Sequence, residues 1–488
     1  MKIEEFEMIM TNFMLNKYRI RRSLGINRNV GESLLLEGQW KSIINADISK
    51  IGVLRKRDGY AKILNTPDAS EILSLIPFEM GSTKRLIMIN AAGKLYSARP
   101  GVDSTWGTAC LTGLSATERW GWTILHDSGG TGYMILGNGL TTYKTSDGVN
   151  FSEVSGAPLA KFFASLFERV YAAGVPASPD TLHWSSIGDL TDWSSVSPSD
   201  SSSTQVDTYS KGNIQGIKDS NDRIVIFKDR QIKRWDGEYL KTVRSSFGCE
   251  APYSLAEIDG RILSFDREAV RLYDGNEPMT ISDIIEDLVH GVSMASTNIE
   301  RICGEAFKNK YYLSVGDITD EDGETISNAF IVYDYARNMF WLYSTYHHMT
   351  AITRHVRSSD GEEKLYVGDI NGNVYEMFNG DTDDDKSIEM HIESHLFFPE
   401  SEDRVIEPKR VIMRLKKADE MKISLSADNG DPKMIGECKN DIENIDIGRK
   451  FGNNVHGMKL FLNHSAKGNP EFHKFILHYE TTGRPRKQ

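Results

Sequence analysis

The chain has little cysteine, no long apolar stretch and a shortage of positive charge, and each shortage narrows what it can be. The four cysteines stand at 110, 249, 303 and 438, with no two close enough to form a CxxC pair. A zinc knuckle or disulfide framework is therefore not expected, and synthesis in a reducing cytosol fits. No apolar run approaches the roughly 20 residues that cross a bilayer. The first residues alternate charge with Met and Phe and form no apolar core of a signal peptide, so no membrane span and no ordinary export are expected. Lys and Arg number 57 against 69 Asp and Glu, a net charge of −12. Binding to phosphates runs on cations and counterion release, so the chain should not grip nucleic acid over its whole surface. Basic clusters at Lys17, Arg19, Arg21 and Arg22, at Arg55, Lys56 and Arg57, and at Lys409, Arg410, Arg414, Lys416 and Lys417 read as solvated faces or subunit contacts.

Catalytic signatures are also missing. The sequence has no GxGxxG after a strand, no GxxxxGK[ST] loop, no HExxH and no GxSxG elbow. His391, Glu393 and His395 would share one face of a strand, but Met390, Ile392, Ser394 and Leu396 occupy the other, so the three read as a solvated face and no metal is assigned. His347 and His348 are sequential and would point apart. Asp320, Asp322 and Gly323, and Asp369, Asn371, Gly372 and Asn373, are fragments of calcium-loop patterns lacking the required outer carboxylates, and read as turns. No catalytic, cofactor-binding or metal-binding residue is assigned, no cofactor is expected, and the chain is expected not to be an enzyme.

What the sequence has is repetition. Two short apolar runs flank a turn, often with an aromatic and a glycine after the second, at Arg85 to Gly101, Asp222 to Gly237, Gly260 to Gly275 and Lys364 to Gly380. Weaker copies run from Gly132 to Gly148, Arg169 to Trp184 and Ala329 to Tyr343. Side chains alternate between two faces, and Gly, Asp or Asn supply the turn, so these are hairpins. Gly237 and Gly275 lie 38 residues apart and Gly101 and Gly148 lie 47 apart, near the roughly 40 to 50 residues of a four-stranded propeller blade. A stacked sandwich gives similar hairpins; the period favours the propeller.

The expected fold is all-β: a β-propeller of about seven blades over 61–381, a C-terminal antiparallel β-sandwich over 386–488, and an N-terminal arm with an opening segment over 1–60. Asp383, Asp384 and Asp385 read as a solvated linker between the two domains. Ile281, Ile284, Ile285, Leu288 and Val289 follow helical spacing between Ser282 and Gly291, which predicts a short amphipathic helix. Ile3, Phe6, Met10, Phe13 and Met14 have similar spacing. Phe6, Met10, Phe13, Met14, Ile284 and Leu288 are the candidate subunit contacts, since flexible Met side chains suit adaptable surfaces.

Ser146 to Phe151 (SDGVNF) looks like an abbreviated Asp-box, a turn of sialidase-type propeller blades. A sialidase also needs an arginine cluster with tyrosine and carboxylate catalysts, and no spacing here assembles that set. Several longer segments resemble the tail-hub, or nozzle, proteins of short-tailed bacteriophages, also described as packaged-DNA stabilisation proteins. They are Leu24 to Asn27, Asn45, Gly52 to Tyr60 (GVLRKRDGY), His183 to Trp193 (HWSSIGDLTDW), Gly212 to Gly216 with the hairpin at Ile224 to Gly237, Gly248 to Ser254 (GCEAPYS), and the end at Tyr479 to Arg484. That resemblance implies a homo-oligomeric ring of six copies in a virion tail, made in the host cytoplasm. It would sit below portal and adaptor proteins, close or extend the DNA exit channel, contact distal tail proteins, and let genomic DNA pass without sequence-specific binding. An acidic lumen would suit such passage. A glycan-binding phage adhesin and a sialidase-like hydrolase are the competing readings.

Overall fold

The computed structural model describes residues 16–30, 35–50, 52–127, 129–195, 200–207, 212–399, 404–438, 441–447, 450–452 and 455–483. Phe6, Met10, Phe13 and Met14 lie outside them. The fold is mostly strand, and the chain divides into two compact units. One runs Tyr60–Asn338 and Thr345–Phe378; the other takes the described parts of Met1–Gly59, Met339–Ser344 and Asn379–Gln488. Among the described residues no helix is long and apolar enough to cross a membrane.

The first unit is a series of small antiparallel sheets, propeller-like in arrangement. Ile72–Met80, Thr83–Asn90, Lys94–Ala98 and Leu111–Thr112 form the first sheet, and Gly121–His126, Gly132–Gly137, Thr142–Thr145 and Ser152–Glu153 the second. Phe162–Leu166, Arg169–Ala173, Thr181–Trp184 and Ser202–Gln205 follow, then Ile214–Asp219, Ile224–Lys228, Ile232–Trp235 and Leu240–Thr242. Next come Ala256–Ile258, Arg261–Phe265, Val270–Tyr273 and Pro278–Thr280, and after them Cys303–Phe307, Lys310–Thr319 and Thr325–Asp334. The hairpins expected from sequence at Arg85, Gly132, Arg169, Asp222, Gly260 and Lys364 are the second and third strands of their sheets. Those strands carry the strongest apolar signal because both of their faces are covered: Ile224–Lys228 is buried at every residue, as is Val270–Tyr273.

Apolar side chains from adjacent sheets interlock. Ile76, Phe78, Ile87 and Ile89 of the first sheet meet Trp120, Met134 and Leu136 of the second, and Ala164, Tyr171 and Leu182 meet Ile217, Ile224 and Trp235. Trp184 and Trp235 stack with ring centroids 5.1 Å apart. A small sheet with two apolar faces cannot bury both alone, so neighbours must repeat until the series closes. Closure is made by Met349–Val356, Glu363–Asp369 and Val374–Met377, whose outer edge is completed by Tyr60–Lys62 from the start of the unit, with Glu376 opposite Ala61. On its other side this sheet meets the first one. Thr350 Oγ1 donates to the Ile72 carbonyl at 2.8 Å, and Glu79 accepts from the Val356 N–H at 2.7 Å.

The second unit holds two sheets. In one, Glu471–Gly483 lies between Val53–Lys56 and Val405–Lys416; Asn16–Ile20 also pairs with it, and Ala46–Lys50 and Ile442–Asp446 extend the edges. In the other, Trp40–Ile44, Met390–Ser394, Met458–His464, Lys422–Ala427 and Lys433–Glu437 lie side by side. Trp40 of one sheet packs edge-on against Phe472 of the other, centroids 5.8 Å apart. The described residues of 16–56, expected as an N-terminal arm with an opening segment, run as strands that complete these two sheets. The expected linker is also corrected: Asp383 is buried and pairs with Arg57.

The helix expected near Ile284 is a 3-10 turn, Asp283–Ile285, running into Glu286–His290. Leu288 is 1% exposed, so its side chain is spent inside its own chain, while Ile284 is half-buried. Lys56 and Arg57 are likewise fully buried, which corrects the reading of that basic cluster as a solvated or subunit-facing surface.

Candidate functional site: the axial cavity

The first strands of successive sheets lie side by side, and a cavity of about 270 Å³ opens where they converge. Six sheets of the first unit contribute strand residues, namely Leu73 to Leu75, Gly121 to Thr123, Phe162 and Phe163, Gly216 to Asp219, Cys303 to Glu305 and Ala351 to Thr353, and Leu255 lines it just before the strand Ala256–Ile258. A second cavity of about 300 Å³ shares Arg119, Phe162, Pro252 and Tyr253 with the first. Its wall is apolar where Val175, Pro176 and Pro179 stand and polar at Glu118, Lys161, Asn213, Gln215 and Glu300. Lys161 and Glu118 neutralise one another at 2.5 Å.

Arg119 is the side chain common to both spaces whose chemistry is least expected in a core. It is 5% exposed. One guanidinium nitrogen donates to the carbonyl of Thr350, and the group lies 4.9 Å from the centroid of the Tyr253 ring. Among the described residues it makes no ion pair with a carboxylate. Burial pushes the Cys303 thiol up to about 11 although Arg119 pulls it down, so this thiol is held protonated and unreactive. Two residues further along the same strand, burial raises the Glu305 carboxyl, with Lys218 and Arg354 working against it.

Two hydroxyls of the wall, those of Ser74 and Thr353, are engaged with the backbone. Ser74 Oγ accepts from the Trp120 N–H at 2.9 Å, and Thr353 Oγ1 donates to the Arg354 carbonyl at 3.3 Å. Sequence reasoning passed over Arg119 because nothing in the run ERWGW marks an arginine as buried; only the convergence of the inner strands does so.

The candidate ligand sets weighed from sequence do not come together as sites. His391 Nδ1 is 2.7 Å from Asn463 Oδ1, His395 Nε2 is 2.6 Å from the Asn27 carbonyl, and Glu393 faces Lys41 at 3.7 Å. Asp369 accepts from the N–H groups of Asn371 and Asn373 and from Tyr375, which spends it on its own turn. In the Asp-box-like turn, Asp147 accepts from Val149 and Asn150 at 2.9 and 2.8 Å. No group of three or more potential metal ligands is found among the described residues.

No family model matches the chain, and no curated protein matches it. Solved structures with a related arrangement include the extracellular domain of the putative one-component system BT4673 from B. thetaiotaomicron. It is 11% identical with a TM-score of 0.42, over 93% of this chain and 64% of that one. The extracellular domain of the putative hybrid two-component system BT4673 from the same organism is 11% identical with a TM-score of 0.45, over 88% of this chain and 62% of that one. The chain thus spans less than two thirds of either, and at this level of likeness their roles are not read onto it.

The expected membership of a phage tail-hub family, the tail-ring function and the virion location are withdrawn: no family model and no curated protein matches the chain, and neither solved structure named above is a tail protein. The physical reason is visible in the segments that suggested it. A Cβ at Gly59 would stand 1.8 Å from the Thr382 carbonyl oxygen, and one at Gly248 would stand 1.8 Å from that of Lys228. Trp193 Nε1 donates to the Leu190 carbonyl at 2.8 Å, and Ser186 Oγ to Asp192 at 2.8 Å. Such motifs report tight turns and close backbone approaches, which any chain with this packing needs.

Proposed function

We propose that this chain is a ligand-recognition protein without catalytic activity, built as a seven-bladed propeller with a two-sheet sandwich, and that its ligand is a small molecule held in the axial cavity. The carrying observation is the convergence of inner strands from six sheets, with Leu255 beside the remaining one, on one space that shares Arg119, Phe162, Pro252 and Tyr253 with a second cavity of apolar and polar wall. Concave spaces with a mainly apolar wall and a few placed polar groups are the usual seats of small ligands. The engaged hydroxyls of Ser74 and Thr353 and the protonated Cys303 support binding over chemistry, since a nucleophile needs a base within hydrogen-bond reach.

The test is a thermal-shift panel on the full chain, grouped by ligand chemistry, run beside Ile352→Trp, which fills the cavity wall. Stabilisation by one class that disappears in the variant supports the reading. Release of product from any panel compound would refute the absence of catalysis.

A further inference from the structure

A buried guanidinium is normally matched by a carboxylate, because removing a full charge from water costs several kcal/mol unless it is paired and hydrogen-bonded. Buried cations elsewhere in this unit obey that rule: Lys228 faces Asp180 at 3.0 Å, Lys233 faces Asp207 at 2.8 Å, and Arg271 faces Asp266 at 2.9 Å. Arg119 is equally buried, yet among the described residues it has only a backbone carbonyl, the Cys303 thiol and the Tyr253 ring. Unlike those three, it lines both cavities.

We infer that Arg119 is the anion-binding group of the axial cavity and that the ligand is a small monocarboxylate with a flat or branched apolar body. This rests on the proposal that the cavity binds a small molecule. A planar guanidinium has five donors and takes a carboxylate through two of them at once. The charge count favours a single negative charge. Lys161 and Glu118 cancel one another, and Glu300 adds a further carboxylate to the lining of the second cavity, so a multiply charged anion would be repelled. Lys218, Asp219 and Glu305 also line the first cavity and contribute both signs to it. The apolar body is matched by Phe162, Val175, Pro176, Pro179, Pro252 and the Tyr253 ring. The ion pair forms at a guanidinium that is itself buried, where it is worth more than at the surface.

The experiment is titration calorimetry of the full chain with benzoate, benzamide and inorganic phosphate, repeated on Arg119→Met, Arg119→Lys and Ile352→Trp after their folding has been checked by circular dichroism. Saturable binding of benzoate, weaker binding of benzamide, and a loss of about tenfold or more in benzoate affinity for Arg119→Met is the expected result. Arg119→Lys keeps the charge without the fork and should fall between wild type and Arg119→Met; it serves as the test if the Met variant does not fold. Equal binding of benzoate and benzamide, both abolished by Ile352→Trp, would overturn the anion assignment while leaving an axial small-molecule site standing. Preference for phosphate would overturn the monocarboxylate. No binding of these probes, together with no cavity-dependent stabilisation in the wider panel, would remove both the inference and the reading beneath it.

Discussion

Arg57 and Asp383, separated by 326 residues in the sequence, form a buried two-pronged ion pair. Nη1 donates to Oδ1 at 2.7 Å and Nη2 to Oδ2 at 2.5 Å, with the arginine side chain 0% and the aspartate 4% exposed. The remaining donors are also used. Nε donates to Asn45 Oδ1 at 2.8 Å, Nη2 also reaches the Ser344 carbonyl at 3.1 Å, and the guanidinium lies 5.3 Å from the centroid of the Tyr343 ring. Removing one partner strands the other charge in a dry site. Asp383→Ala is expected to lower stability by about 3–5 kcal/mol, and the double variant Arg57→Met with Asp383→Leu to recover most of it. Urea midpoints of the three chains decide the matter; equal midpoints for wild type and Asp383→Ala would show the pair to be inert.

Lys56 sits beside this pair and gives a pH dependence of definite sign. Burial, with Arg57 next to it, lowers the ammonium to about 8 from an ordinary 10.5, against the pull of Asp381 and Asp383. Its Nζ donates to the Ala466 carbonyl at 2.6 Å and lies 3.3 Å from His464 Nδ1. Between pH 8 and 10.5 the unfolded chain holds the proton and the folded chain does not, so this group's contribution to stability increases with pH across that window. The buried thiols of Cys249 and Cys438, pushed up to about 12 by burial, act in the opposite direction at alkaline pH. The contribution is therefore read as the difference between wild type and Lys56→Met. That difference should shift in favour of the wild type as pH rises from 8 to 10; a constant difference would contradict it.

Asp147 supplies an acid-side counterpart. Burial alone would raise its carboxyl, but the N–H groups of Asn150 and Val149, with the Asn150 and Thr145 side chains, outweigh it and hold the group down at about 2. A depressed carboxyl contributes stability above its ordinary 3.8, and that contribution fades as the pH falls toward 2. Asp147→Ala is expected to cost about 1 kcal/mol at pH 7 and almost nothing at pH 2. Thermal melts at the two pH values test this, with an unchanged gap counting against it.

The closing strand is a single-point vulnerability. Ile63 N–H donates to the Val374 carbonyl at 3.1 Å just beyond Tyr60–Lys62. Ile63→Pro removes that donor and should destabilise the first unit by about 2–3 kcal/mol. Proteolysis in native buffer should then cut between its sheets faster than in wild type, and an unchanged cleavage rate would mean that closure is held elsewhere.

Most of the sheets were readable from the chain, and the site was not. The hairpins at Ile224, Arg261 and Glu363 announce themselves because strands buried on both faces need continuous apolar runs, with turn residues between them. The innermost strands are harder to see: Ile214–Asp219 and Ala256–Ile258 are short and interrupted by Gly216 or Glu257. The first of these lines the cavity, and the second begins just after Leu255, which also lines it. Partners far apart in sequence are equally invisible, so Arg57 reads as part of a basic cluster and Asp383 as part of an acidic linker until the fold joins them. Arg119 has no counterpart in the sequence that would betray its burial.

The pairing of Tyr60–Lys62 with Val374–Met377 also sets an order for making the protein. A ribosome releases the first of these strands more than three hundred residues before the second, so the ring stays open at both ends for most of translation. Each nascent sheet meanwhile offers an uncovered apolar face and an unpaired edge, the features that invite aggregation. Slow elongation or a chaperone that shields those faces should raise the soluble yield, and a circular permutant that begins at residue 64 and carries 60–63 at its far end should shorten the exposure.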